Sequence, residues 1–118
     1  MVTFEYIVQH NDFILALCTF LDEYKRTENK DALLAMPPPE DGVNKENLCL
    51  LAAVAHKLAN DNGRVVPAWV HDDKYVMPYP VYAFNTKNEE YQAFLREDTP
   101  YEFASKNIFH GANAINRT

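Results

Sequence analysis

The chain has 118 residues, 47% hydrophobic and 13% aromatic, with a formal net charge of -6. A chain this long buries roughly two thirds of the surface its unfolded form exposes, which suits a single domain over residues 1–118, too apolar for disorder and without the roughly 20 successive apolar residues of a membrane span. Its basic residues, from Lys25 to Arg117, are scattered, so direct nucleic-acid binding is not expected, and an acidic domain suits a basic protein partner.

The N-terminal stretch MVTFEYIVQH has neither a basic segment before its apolar run nor a small-residue cleavage site, so no signal peptide and a cytoplasmic location are expected. Residues 2–9 suit a short strand by their β-branched and aromatic content, but Thr3 is placed to cap an earlier start to the helix that runs to about Arg26, and helix is the expectation. Asn11 or Asp12 caps a helix to about Arg26, with Phe13, Leu17, Phe20 and Tyr24 on one stripe and Ile14 and Leu21 beside it. The segment ENKDALLAM reads as a short helix with Leu33, Leu34 and Met36 turned inward. Pro37, Pro38 and Pro39 stop it, and Glu40-Asp41-Gly42 completes a stiff elbow.

The stretch at about 44–62 has the clearest signals. Asn44 is a capping residue, Glu46 complements the helix dipole, and Val43 and Leu48 have the spacing of a hydrophobic staple. Asn62-Gly63 supplies the left-handed stop, with Pro67 beyond it. Leu48, Leu51, Ala52, Ala55, Leu58 and Ala59 share one face, and Cys49, Leu50, Ala53 and Val54 extend the apolar surface nearly all round, so this helix is expected at the centre of the fold. His56, Lys57, Asn60 and Asp61 form its polar stripe.

Residues 64–85 are irregular and aromatic. Pro67 begins a turn with Trp69 and Val70, Asp72-Asp73 turns the chain, and Tyr75, Tyr79, Tyr82 and Phe84 surround Pro78 and Pro80, where alternating prolines exclude both helix and central strand. Two helices follow, from the capping boxes Thr86-x-x-Glu89 and Thr99-Pro100-Tyr101-Glu102. The first carries Tyr91, Phe94 and Leu95, the second turns Phe103 inward and closes at Lys106-Asn107, and the stripe from Tyr91 to Phe103 is expected to bury against the central helix. Ile108 and Phe109 anchor an ordered tail with a last turn at Ala114 and Ile115. The whole reads as an all-α bundle of five to six helices around the central one. Cys18 and Cys49 lie in apolar helical runs and read as buried free thiols.

The order FLDEY, LLAMPPP, LAAVAHKLANDNG, VPAW, aromatic-proline segment, P-x-E-F and NIFHGANAI resembles a poorly characterised bacterial all-helical domain, found alone or behind a helix-turn-helix in antitoxin-like regulators. The resemblance spans about residues 15–116 and its motifs are structural. It implies a protein that binds another protein, such as a toxin-like or nucleotidyltransferase-like enzyme. The dozen residues before the first clear helix are fewer than a helix-turn-helix requires, so direct promoter binding is not expected.

No HExxH, GxSxG, Walker loop or paired CxxC occurs, and three glycines are too few for the usual phosphate loop. His71-Asp72-Asp73 offers metal ligands or a base, but adjacent residues on one turn rarely converge on an ion. His56 and His110 would pair only if the fold brought them together. No catalytic residue, metal or cofactor is expected. The sequence therefore points to a non-enzymatic interaction module whose contact surface is Trp69, Tyr75, Tyr79 and Tyr82, with Asp72 and Asp73 at the rim. Two alternatives remain: a small enzyme or ligand-binding domain with a pocket between the central helix and the aromatic segment, and a homodimer through a self-complementary apolar patch.

Overall fold

Asn44 starts the longest helix as its side chain dictates: its Oδ1 accepts the Glu46 backbone N–H at 2.7 Å. The structure, a computed structural model, describes residues 3–40 and 42–111. Asp41 of the elbow and the tail turn expected at Ala114 and Ile115 lie outside the described residues. Six α-helices are described: α1 (Phe4–Gln9), α2 (Phe13–Arg26), α3 (Lys30–Ala35), α4 (Lys45–Asp61), α5 (Glu89–Asp98) and α6 (Tyr101–Ala104). The fold is mainly α, and its radius of gyration of 13.8 Å is that of a compact chain of this length, for which about 13.5 Å is ordinary.

The end of α4 is closed by two reversed hydrogen bonds, Arg64 N–H to the Ala59 carbonyl at 2.8 Å and Gly63 N–H to that of Asn60 at 3.3 Å. This closure needs a left-handed residue, and Gly63 has φ 64°. Between its caps α4 is buried continuously from Leu51 to His56, with Leu48, Cys49 and Ala59. Four alanines there let the surrounding elements approach the helix axis closely. His56 is therefore part of the core and not of an exposed polar stripe, because α6 and the chain after Gly63 both pack onto that side.

The N-terminal region forms two helices and not one helix with an earlier start at Thr3. Thr3 caps α1, Asp12 caps α2, and the chain breaks at His10, whose Nδ1 accepts the Asp12 N–H at 2.9 Å. Leu17, Phe20, Leu21 and Tyr24 of α2 are buried, and Phe20 stacks on Phe4 of α1 at 4.7 Å. Leu33 and Leu34 of α3 point inward as expected, whereas Met36 is 69% exposed. Met36 caps α3 with extended φ and ψ, which swings it off the inward stripe.

The later chain is held by a short parallel pair, β1 (Val81–Tyr82) with β2 (Ile108–Phe109). Met77 N–H donates to the Lys106 carbonyl and Val81 N–H to that of Asn107. Pro78 and Pro80, which have no N–H, sit between these two donors, so the alternating prolines permit this narrow edge pairing. The cap of α5 is Asn88, which accepts the Tyr91 N–H at 2.9 Å, and not Thr86, whose hydroxyl accepts the Asn88 N–H one step earlier. Thr99 does not cap α6; its hydroxyl accepts the Gly111 N–H at 2.9 Å and ties down the tail. Asn107, at φ 63°, ends the α6 region.

The buried apolar side chains other than Leu95 form one cluster from Phe4 to Ile108. Only Leu95 of α5 is buried. The expected inward stripe from Tyr91 to Phe103 is therefore corrected: Phe103 is buried, while Tyr91 and Phe94 face water. Cys49 is a buried free thiol, and Cys18 is only partly buried. Among the described residues no helix is long and apolar enough to cross a membrane.

Candidate functional site

The segment after Gly63 folds as two single 3-10 turns, Ala68–His71 and Asp73–Tyr75, then β1, then a turn at Ala83–Asn85 in which Phe84 and Asn85 have positive φ. It divides the sequence-predicted surface into core and surface groups.

Tyr75 belongs to the core, and half-buried Trp69 packs against it. The Trp69 indole N–H donates to the Leu34 carbonyl at 2.8 Å, and its ring meets Phe4 and Tyr75 edge-on at 5.8 and 5.3 Å. It pins the segment to α1 and α3, leaving one edge in a groove of about 550 Å³ with Leu34, Pro37 and Val65. Tyr75, expected at the surface, is 1% exposed, because the Asp73–Tyr75 turn directs its ring into the core against Trp69 and α4. Burial pushes its phenol above the ordinary value. Asp72 and Asp73 are exposed, and Asp72 Oδ1 accepts the Lys74 N–H at 3.0 Å, the bond of a solvated turn.

Tyr79 is 60% exposed and lies over the start of α4, where Met77, Pro78, Asn44, Lys45 and Glu46 share a shallow cleft with it. Tyr82 is half-buried and stacked on Phe109 at 5.4 Å; its hydroxyl accepts a hydrogen bond from Arg96 at 2.6 Å.

Three aromatic residues outside the predicted set are also exposed. Phe84 is 91% exposed with φ 58°, followed by Asn85 at φ 52°. A bulky residue in the left-handed region costs roughly 1–2 kcal/mol, and here no burial offsets it. On α5, Tyr91 and Phe94 stack on each other at 6.3 Å, exposed by 37% and 56%. Exposed Glu89, Glu90 and Glu97 surround them. The sequence carries one signal for this turn, Asn85, which tolerates a left-handed conformation, and none for Phe84.

The histidines are arranged differently from expectation. His56 meets His71, ring centroids 5.2 Å apart, and Tyr101 at 6.2 Å, not His110. Its buried Nδ1 has no hydrogen-bond partner. Burial holds its imidazole below the ordinary value, with His71 and Lys106 acting the same way and Glu102 opposing them. Asn60 donates to Glu102 at 2.8 Å. Burial raises the Glu102 carboxyl, but that bond, its backbone amide, Lys57 and His56 together bring it below the ordinary value. Among the described residues no three His, Cys, Asp or Glu side chains are grouped to hold a metal ion.

No protein-family model, curated protein or solved structure matches this chain.

Proposed function

We propose that this chain is a non-enzymatic, antitoxin-like interaction module, acting in the cytoplasm, that binds a protein partner through Tyr79, Tyr82, Phe84, Tyr91 and Phe94. Trp69 and Tyr75 anchor to the core the segment that leads into Tyr79 and Tyr82, and Asp72 and Asp73 stand at its rim.

The observation that carries this reading is Phe84. It combines 91% exposure with a left-handed backbone, so the fold holds an apolar ring in water in a conformation that only its surroundings enforce. Strain of this kind gathers where a residue is positioned for a contact. The stacked Tyr91 and Phe94 on a helix with one buried residue add a second exposed apolar element. Tyrosine and phenylalanine are residues that anchor interfaces, and the carboxylates of Glu89, Glu90 and Glu97 suit a basic rim on the partner. A toxin-like or nucleotidyltransferase-like enzyme is the partner class that the family resemblance implies.

The test is co-expression with the products of adjacent genes, followed by affinity capture with wild type, Tyr79→Ala, Phe84→Ala and Phe94→Ala. The expected result is a partner retained by wild type and weakened at least tenfold by each variant at an unchanged melting temperature. Folded variants that retain the partner as wild type does would remove these residues from the interface.

A further inference from the structure

Three buried titratable side chains line the two turns from Ala68 to Tyr75, His56 against His71, Lys106 on the Val70 carbonyl and Cys49 on the Lys74 carbonyl, and none takes part in the proposed interface. Cys49 and His56 of α4 are 0% and 7% exposed, and Lys106, after α6, is 4% exposed. Lys106 Nζ donates to the carbonyl of Val70, inside the turn, and among the described residues no carboxylate pairs with it. His56 lies between the turn and α6. From the turn it faces His71; from α6 it faces Tyr101 and Glu102; from the following residues it faces Lys106. On its own helix Lys57 pairs with Asp61 at 3.0 Å, and Asn60 holds Glu102.

This setting accepts a neutral imidazole and resists a charged one. An imidazolium has two N–H groups to satisfy, and the buried Nδ1 has no acceptor. Its charge would stand beside the Lys106 ammonium and His71, with Glu102, already engaged by Asn60, as the opposing carboxylate. The turn that would be displaced carries Trp69, the only tryptophan in the chain, and leads directly into the aromatic segment.

We propose that the contact of His56 with His71 is a pH latch: protonation of His56 in mildly acidic solution undocks the Ala68–His71 turn from α4 and α6 and loosens the aromatic surface that follows, so partner binding weakens as pH falls. The effect on binding rests on the interface reading above; the undocking of the turn does not. Folded His56 takes up a proton less readily than unfolded His56, so its contribution to stability is complete above the ordinary value of 6.5 and is lost as pH falls below it. Within that window each unit of pH enriches the opened form by up to about tenfold. His110, half-buried and shifted downward by burial, acts with the same sign and is the necessary control.

The experiment follows Trp69 fluorescence of the full chain from about pH 8 to about pH 5, for wild type, His56→Gln, His71→Gln and His110→Gln. Wild type and His110→Gln are expected to show a red shift below the ordinary histidine value. His71→Gln removes a neighbour that opposes protonation of His56 and is expected to shift at higher pH, and His56→Gln stays flat. NMR of the His56 ring in wild type is expected to titrate with the Trp69 signal, which keeps the test decisive if His56→Gln does not fold. A flat wild-type response, a transition unchanged in His56→Gln, or a His56 ring that titrates apart from Trp69 would overturn the latch and leave the interface untouched. A Trp69 transition with pH-independent partner capture would overturn the regulatory coupling. Loss of capture at every pH in Phe84→Ala, with the Trp69 transition intact, would support the separation of latch and surface.

Discussion

The Lys106 ammonium donates its hydrogen bond to the carbonyl oxygen of Val70, so a buried cation from the far end of the chain closes over the first turn of the aromatic segment. Burial holds the Lys106 amine below its ordinary value, with Cys49 opposing. The unfolded chain binds this proton more tightly than the folded one, so stability increases as pH rises through the window between the lowered value and 10.5.

Lys106→Met is expected to abolish that alkaline gain. At neutral pH the variant loses the bond to Val70 but also the need to bury a charge, and the two effects leave it within about 2 kcal/mol of wild type. Lys106→Ala adds a cavity and is expected to cost about 2–4 kcal/mol. Urea unfolding at neutral pH and near the lysine range measures both, and an alkaline gain retained in Lys106→Met would assign it to other groups.

Trp69 joins the aromatic segment to α3 through the Leu34 carbonyl and to α1 through Phe4. Trp69→Phe keeps a ring but leaves that part-buried carbonyl without its donor, and is expected to cost about 1–3 kcal/mol. Trp69→Ala also opens a cavity and is expected to cost about 3–5 kcal/mol. Thermal and urea unfolding distinguish this structural role from direct contact: a Trp69→Ala variant of wild-type stability would return Trp69 to the interface.

How legible each element was depended on whether its signal was local. Asn44 and Asn62-Gly63 act within one helical turn of themselves, and the ends of α4 lie where these residues place them. The same holds for Asp12 and for the proline stop after α3. Thr86 and Asn88 are both capping residues two positions apart, and sequence pattern alone favoured the one with a glutamate three residues on. Orientation within residues 64–85 was not legible, because a segment without helical or strand period gives no inward face. Tyr75 and Tyr79 look alike in sequence, yet one is 1% and the other 60% exposed. The approach of His56 to His71 depends on how the chain after Gly63 folds back along α4, which is set by tertiary packing.

The alanines of α4 make a prediction that separates packing from propensity. Ala53 and Ala55 are fully buried, with neighbouring elements drawn in against the helix. Leucine is also a good helix former, so propensity alone would predict almost no change for Ala55→Leu. Overpacking is expected to dominate and to destabilise the fold by about 1–3 kcal/mol. Leu51→Ala, in the same buried stretch, is expected to cost about 2–5 kcal/mol. Chemical unfolding reads both, and a neutral Ala55→Leu would mean that this side of α4 has space its burial does not reveal.

Phe84 gives the sharpest separation of stability from binding. Its ring is 91% exposed, so removing it forfeits almost no burial, while its φ of 58° strains an L-residue. Glycine relieves roughly 1–2 kcal/mol of that strain and gives back about 0.5–1 kcal/mol through the greater freedom of the unfolded chain. Phe84→Gly is therefore expected to hold or raise the melting temperature by a few degrees while weakening partner capture. Phe84→Ala keeps the strain, so it is expected to weaken capture without the gain in stability. Calorimetry and affinity capture on the same preparations read the two effects apart. A lower melting temperature for Phe84→Gly would mean that the ring is packed by the fold, and unchanged capture would mean that the fold strains this residue for something other than the partner. A gain in stability together with a loss of capture is what a residue held out of the core for contact requires.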